Sequence, residues 1–325
     1  MRRRHIIAGG LALPMLARAQ GSAQGSDWPN RPVRTVVPYP PGGPNDIIAR
    51  LYAPQLSAAL GQQVLVENRA GGSGVIGTDT VLKSAADGSS FGIVDGGSLV
   101  IAPHTQPSMP YQVPGDLSLI SVVTQVPEAL VASPRLGVKT LPELLELARA
   151  RPGTLNIGTA GAAGISHLAA YLFKAQTGAA VEVITYRGAA PAVTDLVAGQ
   201  IQLLFADLPV LMPHLAAGAI TALALAARKR SPSLPELKTT VEYGFPRLLA
   251  EYWYCCVGQA RLPAAIQQKM SAALRTASQS AAVKDALAAQ GAEAFWCSQA
   301  EFAERVAQES LVWRDIARSA NVRAT

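Results

Sequence analysis

Two glycine-rich turns, each set between a strand pattern and a helix pattern, constrain this chain more than any other feature. The first, Tyr39-Pro40-Pro41-Gly42-Gly43-Pro44-Asn45-Asp46, follows the apolar run Val33 to Val37 and leads into Ile47 to Leu60. The second, Thr159-Ala160-Gly161-Ala162-Ala163-Gly164-Ile165-Ser166-His167, follows 154–158 and leads into 168–176. A helix N-terminus presents N–H groups that lack intrahelical partners, together with a partial positive charge. Each turn is therefore a ready anion site. Two such turns far apart in the chain predict two domains closing on an anionic ligand.

Around these turns the pattern alternates. Strands are expected at 33–38, 64–67 and 91–94, with helices at 45–60 and 75–84 between them. A second series follows: strands at 130–133, 154–159, 181–185, 201–205 and 221–226, with helices at 141–151, 166–176, 191–198 and 212–217. Regular alternation argues for an α/β chain with parallel sheets and helices on both faces. The apolar run 249–257 is read as a return toward the first series, and helices are expected at 263–278, 282–290 and 300–319. The resulting division is 20–125 plus 251–325 for a discontinuous first domain and 126–250 for the second. Ligands of open α/β sheets lie outside the carboxyl ends of the strands, and both glycine turns stand at such ends.

The amino terminus speaks for compartment. Arg2, Arg3 and Arg4 precede a short apolar run, Ile6 to Leu16, and Ala17-Arg18-Ala19 forms a cleavage signal. A secretory leader over 1–19 is expected, too short to span a bilayer, with a twin-arginine route compatible with the consecutive arginines. The expected location is the periplasm. The chain carries 28 Lys and Arg against 22 Asp and Glu; four of the arginines fall within 1–19, which leaves a net charge of +2. Apart from Arg228-Lys229-Arg230 the basic residues are scattered, so no nucleic-acid partner is expected. The three cysteines fit neither a disulfide framework nor zinc spacing; Cys255 and Cys256 read as small buried hydrophobes, and Cys297 has no obvious partner.

Other motifs carry less chemistry. Gly72-Ser73-Gly74-Val75-Ile76-Gly77, with Asp95 farther on, matches the dinucleotide fingerprint literally. The segment 68–71 intervenes between strand and first glycine, however, and no cofactor is expected. Gly164-Ile165-Ser166 begins like a nucleophile elbow, but Leu168 breaks the pattern, so Ser166 reads as a helix cap. His167 reads as a brace for the second turn, and no His pair has metal spacing. Asp46 is expected to cap or brace its helix. Gly97 and Ser98, after the strand at 91–94, join the candidate ligand contacts. Asp207, at the end of the 201–205 strand, is expected to point toward a cleft, with a cap on the Pro209 turn as the alternative.

Several segments together resemble the periplasmic solute-binding receptors of tripartite tricarboxylate transporters, the Bug or TctC-like family. They are Arg31-Pro32-Val33-Arg34, 37–43 with Asp46 and Ala49-Arg50, Leu60-Gly61-Gln62, Val66-Glu67-Asn68-Arg69-Ala70-Gly71, Gly74, Ile76-Gly77, Asp87-Gly88, His167-Leu168, Tyr186-Arg187-Gly188 and Leu234-Pro235. The resemblance implies a type II periplasmic-binding fold of two α/β domains with a ligand cleft between them, and no catalysis. It implies carboxylate capture by backbone N–H groups of the first turn, opposed by the second turn. By position the ligand contacts are then Tyr39, Pro41, Gly42, Gly43, Asp46, Gly97, Ser98, Thr159, Ala160, Ala162, Ala163, Gly164, Ser166, His167 and Asp207. A monomer serving the membrane permease subunits of such a transporter is expected; a receptor feeding a sensor kinase, or a secreted enzyme using Ser166 and His167, are the rivals. Two departures stand out. The family usually shows Gly-Thr or Gly-Ser where this chain has Ala163-Gly164, and often Asp-Asn or Ala-Asn where it has Ala206-Asp207. The added carboxylate of Asp207 would repel a second ligand carboxylate or attract a ligand N–H.

Overall fold

The computed structural model describes residues 27–160, 164–186 and 188–319. The leader expected over 1–19 lies outside them. The first half builds β1 (Val33–Val37), α1 (Pro44–Leu60), β2 (Val64–Asn68), α2 (Val75–Leu82), β3 (Ser90–Asp95) and the short helices α3 (Gly97–Val100) and α4 (Ala102–Thr105). Then β4 (Leu117–Ala132) runs into the second half: α5 (Leu141–Ala150), β5 (Leu155–Ala160), α6 (Ile165–Thr177), β6 (Val181–Tyr186), α7 (Ala189–Ala198), β7 (Leu203–Asp207), α8 (Leu208–Ala216) and β8 (Thr221–Leu225). The chain returns through β9 (Glu251–Gln259) and ends with α9 (Ala264–Gln279), α10 (Ala281–Ala288), β10 (Glu293–Ala294) and α11 (Gln299–Ser319).

The strand order is β2-β1-β3-β9-β4-β7-β5-β6, with β10 and β8 also paired to β4. Within each half the βα units pair in parallel: β1 with β2 and β3, and β5 with β6 and β7. The expectation of purely parallel sheets needs correction at the centre. β4 and β9 are antiparallel to each other and to their other neighbours, β3, β7, β8 and β10. The reason is connectivity: a chain that leaves one half and later returns crosses in opposite directions. β4 pairs with β9 as far as Pro127–Glu251, and from Glu128 onward it pairs with β7 and β8. One strand therefore serves both halves.

Only the end of β4 was expected as strand. Its register shifts twice, between Leu119 and Ser121 and between Val122 and Thr124. Each bulge turns the following side chains over, so Leu117, Leu119 and Val122 join one core while Ile120, Val123 and Val126 join the other. That destroys the period-two pattern from which a strand is read. β9 keeps its alternation: Trp253, Cys255 and Val257 enter the first core, Tyr254 and Cys256 the second. All three cysteines are free and buried, and burial pushes their thiols up. α11 packs on α3 and β4 and also reaches α6 of the second half, with Trp313 and Ala317 buried.

Candidate functional site

The carboxyl ends of β1, β3, β5 and β7 converge on one cleft of about 740 Å³, lined from both halves. On the first side, the turn after β1 is bent by Gly42 at φ +82°, a left-handed conformation that favours glycine. Gly43 is extended and stands at the N-cap of α1, and Pro44 opens the helix at a position where no N–H is needed.

Asp46 fixes this turn. Its buried carboxylate accepts the Gly42 N–H at 2.9 Å and Arg50 Nε at 2.9 Å through Oδ2, and Asn68 Nδ2 at 2.9 Å through Oδ1. Asn68 Nδ2 also donates to the Tyr39 carbonyl at 3.0 Å. The Arg50 guanidinium, the Gly42 N–H and the Asn68 amide hold the Asp46 carboxyl down at about 2. Asp46 is thus a brace, set behind the cleft, and the Gly42 N–H is committed to it. The helix still offers the N–H groups of Gly43, Asn45 and Asp46, the unpaired donors of its first turn.

Two glycines of the nominal dinucleotide fingerprint, Gly74 and Gly77, serve packing against the same turn. A Cβ on Gly77 would lie 2.5 Å from Pro38 Cα and from the Arg69 carbonyl oxygen, and one on Gly74 would lie 2.9 Å from the Tyr39 hydroxyl. They let α2 press against the segment that leads into the anion turn.

The floor of the cleft is acidic. Asp95, at the end of β3, accepts the Ser98 N–H at 3.0 Å and the Tyr252 hydroxyl at 2.9 Å through Oδ1. Its Oδ2 is buried without a hydrogen-bond partner. Burial raises the Asp95 carboxyl, against the pull of Tyr39, Tyr252 and the Ser98 N–H. Burial and the charge of Asp95 together drive the Tyr39 phenol well up. Across the boundary, Glu128 of β4 is the register partner of Asp207 of β7, and the two carboxyl groups share a hydrogen bond. Burial and the neighbouring Asp207 charge push Glu128 well up. Burial raises Asp207 as well, the bond from Glu128 opposes that rise, and the charge of Asp95 adds to it. Tyr254 stands among these acids and lines the cleft beside Tyr252.

On the second side, Ala160, Gly164, Ile165 and Gly188 line the cleft. Gly164 is the N-cap of α6 without any side-chain cap. The expected capping role of Ser166 is corrected: its Oγ lies inside the first turn and accepts the Ala160 N–H at 2.9 Å, tying strand end to helix start. His167 packs edge-on against Tyr171 at 5.2 Å, and burial lowers its pKa.

Of the expected contacts, Tyr39, Pro41, Gly42, Gly43, Gly97, Ala160, Gly164 and Asp207 line the cleft. Asp46, Ser98, Thr159, Ser166 and His167 are not among its lining residues, and Ala162 and Ala163 fall outside the described residues. Asp207 is the N-cap residue of α8 but makes no side-chain cap bond, so the capping alternative is not the one observed. Sequence reasoning missed Tyr252, Tyr254 and the role of Asp95. The strand-end argument that selected Asp207 selects Asp95 equally well, and the i, i+2 tyrosines of a crossing strand share one face.

The chain matches the model of the tripartite tricarboxylate transporter family receptor over residues 48–322. It is 35% identical to Protein BugT of Bordetella pertussis over 96% of this chain and 94% of that protein. Among solved structures it is similar to R. palustris Rpa4515, solved with adipate, at 32% identity and a TM-score of 0.82, covering 92% of this chain and all of the other. MatC from Rhodopseudomonas palustris, solved with malate, matches at 27% identity and a TM-score of 0.76 over 89% and 99% of the two chains. Among the described residues no helix is long and apolar enough to cross a membrane. These matches run the length of the fold and include both sides of the cleft: the chain belongs to the Bug family of tripartite tricarboxylate transporter receptors, periplasmic solute-binding proteins of the type II binding fold rather than enzymes.

Proposed function

We propose that the cleft captures a small organic carboxylate and presents it to the membrane subunits of a tripartite tricarboxylate transporter. One observation carries the reading: the N-terminal ends of α1 and α6, from opposite halves, open onto the same cavity at Gly43 and Gly164. A carboxylate would accept the free N–H groups of Gly43, Asn45 and Asp46, with Tyr39 at its side and the start of α6 facing it from the other half; Ala162 and Ala163 belong to the same proposal as ligand contacts. The two halves act as domains meeting at Pro127/Glu128, where β4 changes partners, and at Ala250/Glu251, where β9 begins. Export through the leader at 1–19, by the twin-arginine route, and action as a monomer belong to the same proposal. The adipate and malate seen in similar structures support the ligand class. A thermal-shift screen of organic acids tests it, because a ligand that binds only the folded state raises Tm by mass action. At least one small carboxylate should raise Tm in proportion to its logarithmic concentration; a panel without effect would refute the reading.

A further inference from the structure

The described lining of the cleft contains two carboxylates, Asp95 and Asp207, and no Lys, Arg or His side chain. Behind Asp207 sits a third acid, Glu128, only 1% exposed and with Oε2 lacking a partner. Asp95 is likewise 1% exposed, lines the cavity, and has Oδ2 without a partner. A buried carboxylate oxygen left without a donor is costly, and such atoms are rare unless something absent from the apoprotein completes them. The anion-binding donors, by contrast, are all backbone N–H groups on the rim. The cleft therefore has two electrostatic poles: positive at the start of α1, negative on the floor between β3 and β7.

We propose that the ligand is zwitterionic, carrying a carboxylate for the α1 turn and a protonated amine for Asp95 and Asp207. This rests on the carboxylate reading above and narrows it. The ammonium donates to the carboxylates of Asp95 and Asp207, the two acids of the cleft lining; because Asp95 Oδ2 is itself buried, a turn of that carboxyl group brings it to the ligand. Glu128 is the register partner of Asp207 on the adjacent strand, so an ammonium at Asp207 has a further acid behind it, and Asp95 is the other acid of the lining. A dicarboxylate of the same length would set a carboxylate against both, in a cavity where water screens little. Tyr39 and Tyr252, both hydrogen-bonded to Asp95, hold its carboxylate in place.

Calorimetric titration of the full mature chain at pH 7 with matched pairs tests this. The pairs are alanine with methylmalonate, 3-aminopropionate with succinate, 4-aminobutyrate with glutarate, and 5-aminopentanoate with adipate. In each, the ammonium nitrogen takes the place of one carboxylate carbon. In the pair whose spacing fits, the amino acid should bind at least ten-fold more tightly than its partner. Asp207→Asn and Asp95→Asn, each checked for an unchanged apo melting profile, should cut that preference at least ten-fold. Retention of the preference in both folded variants would overturn the assignment of the acids. Tighter binding of the dicarboxylate in every pair that binds would overturn the inference while leaving the carboxylate receptor standing. Binding of no member of any pair would overturn both.

Discussion

At the residue scale, the account turns on Gly43 and Asp46. A Cβ on Gly43 would meet only the Pro40 carbonyl oxygen, at 3.6 Å, and its φ of −78° is open to any residue. Gly43→Val should therefore fold normally, yet place its methyl groups at the anion turn. Loss of two charge-assisted hydrogen bonds costs about 3–5 kcal/mol, enough to abolish micromolar binding in a calorimetric titration. Asp46 is tested by pH. Its folded pKa, about 2, lies below its ordinary value of 3.8. The stability it contributes is fully present above that ordinary value and is lost as pH falls through the folded one. Because its partner Arg50 is largely exposed, screening leaves about 1 kcal/mol. Asp46→Asn should be less stable than wild type by that amount in urea unfolding at pH 6, and the difference should vanish near pH 2. The bracing role of Asp46 was readable from its place just after Gly42-Gly43. Arg50 follows from the i, i+4 spacing once 45–60 is a helix; the partner Asn68 was not readable, because a contact between α1 and the end of β2 depends on how those elements pack.

At the element scale, the close contact of α2 with the first turn predicts its own sensitivity. Gly77→Ala would force Cβ into the backbone of Pro38 and Arg69, and neither atom can rotate away. Overpacking of this kind costs about 1–3 kcal/mol. Since Pro38 leads directly into the turn, ligand affinity should fall together with Tm, as read by paired melting and titration experiments. Gly164→Ala is the contrast, with open space around the new Cβ; its apo stability should stay within about 0.5 kcal/mol of wild type. The βα units were legible because apolar runs, glycine C-caps such as Gly61 and Gly178, and prolines at helix starts mark them locally. β4 was not. Its bulges at 120 and 123, with Ser118, Ser121, Thr124 and Glu128 buried along it, hide a central strand behind a polar, non-alternating sequence. The acidic floor was half legible for the same reason. Asp207 ends a clear strand, whereas Glu128 lies in the unrecognised one, and Asp95 was read against a nucleotide motif instead of the cleft.

At the scale of the whole molecule, the chain crosses between halves on two adjacent antiparallel strands, with α11 laid across β4 and against α6. Small changes in backbone dihedrals near Pro127 and Ala250 can swing one half against the other, the hinge closure seen when binding proteins take up ligand. Closure of this kind would press the α1 and α6 termini, which share one cavity, onto the two faces of a small ligand. Small-angle X-ray scattering, with and without a saturating amount of the carboxylate that most raises Tm, measures this directly. The account predicts a smaller radius of gyration with ligand bound, and the same radius with and without it for Gly43→Val. Superimposable wild-type profiles at saturation would contradict capture by closure of the two halves.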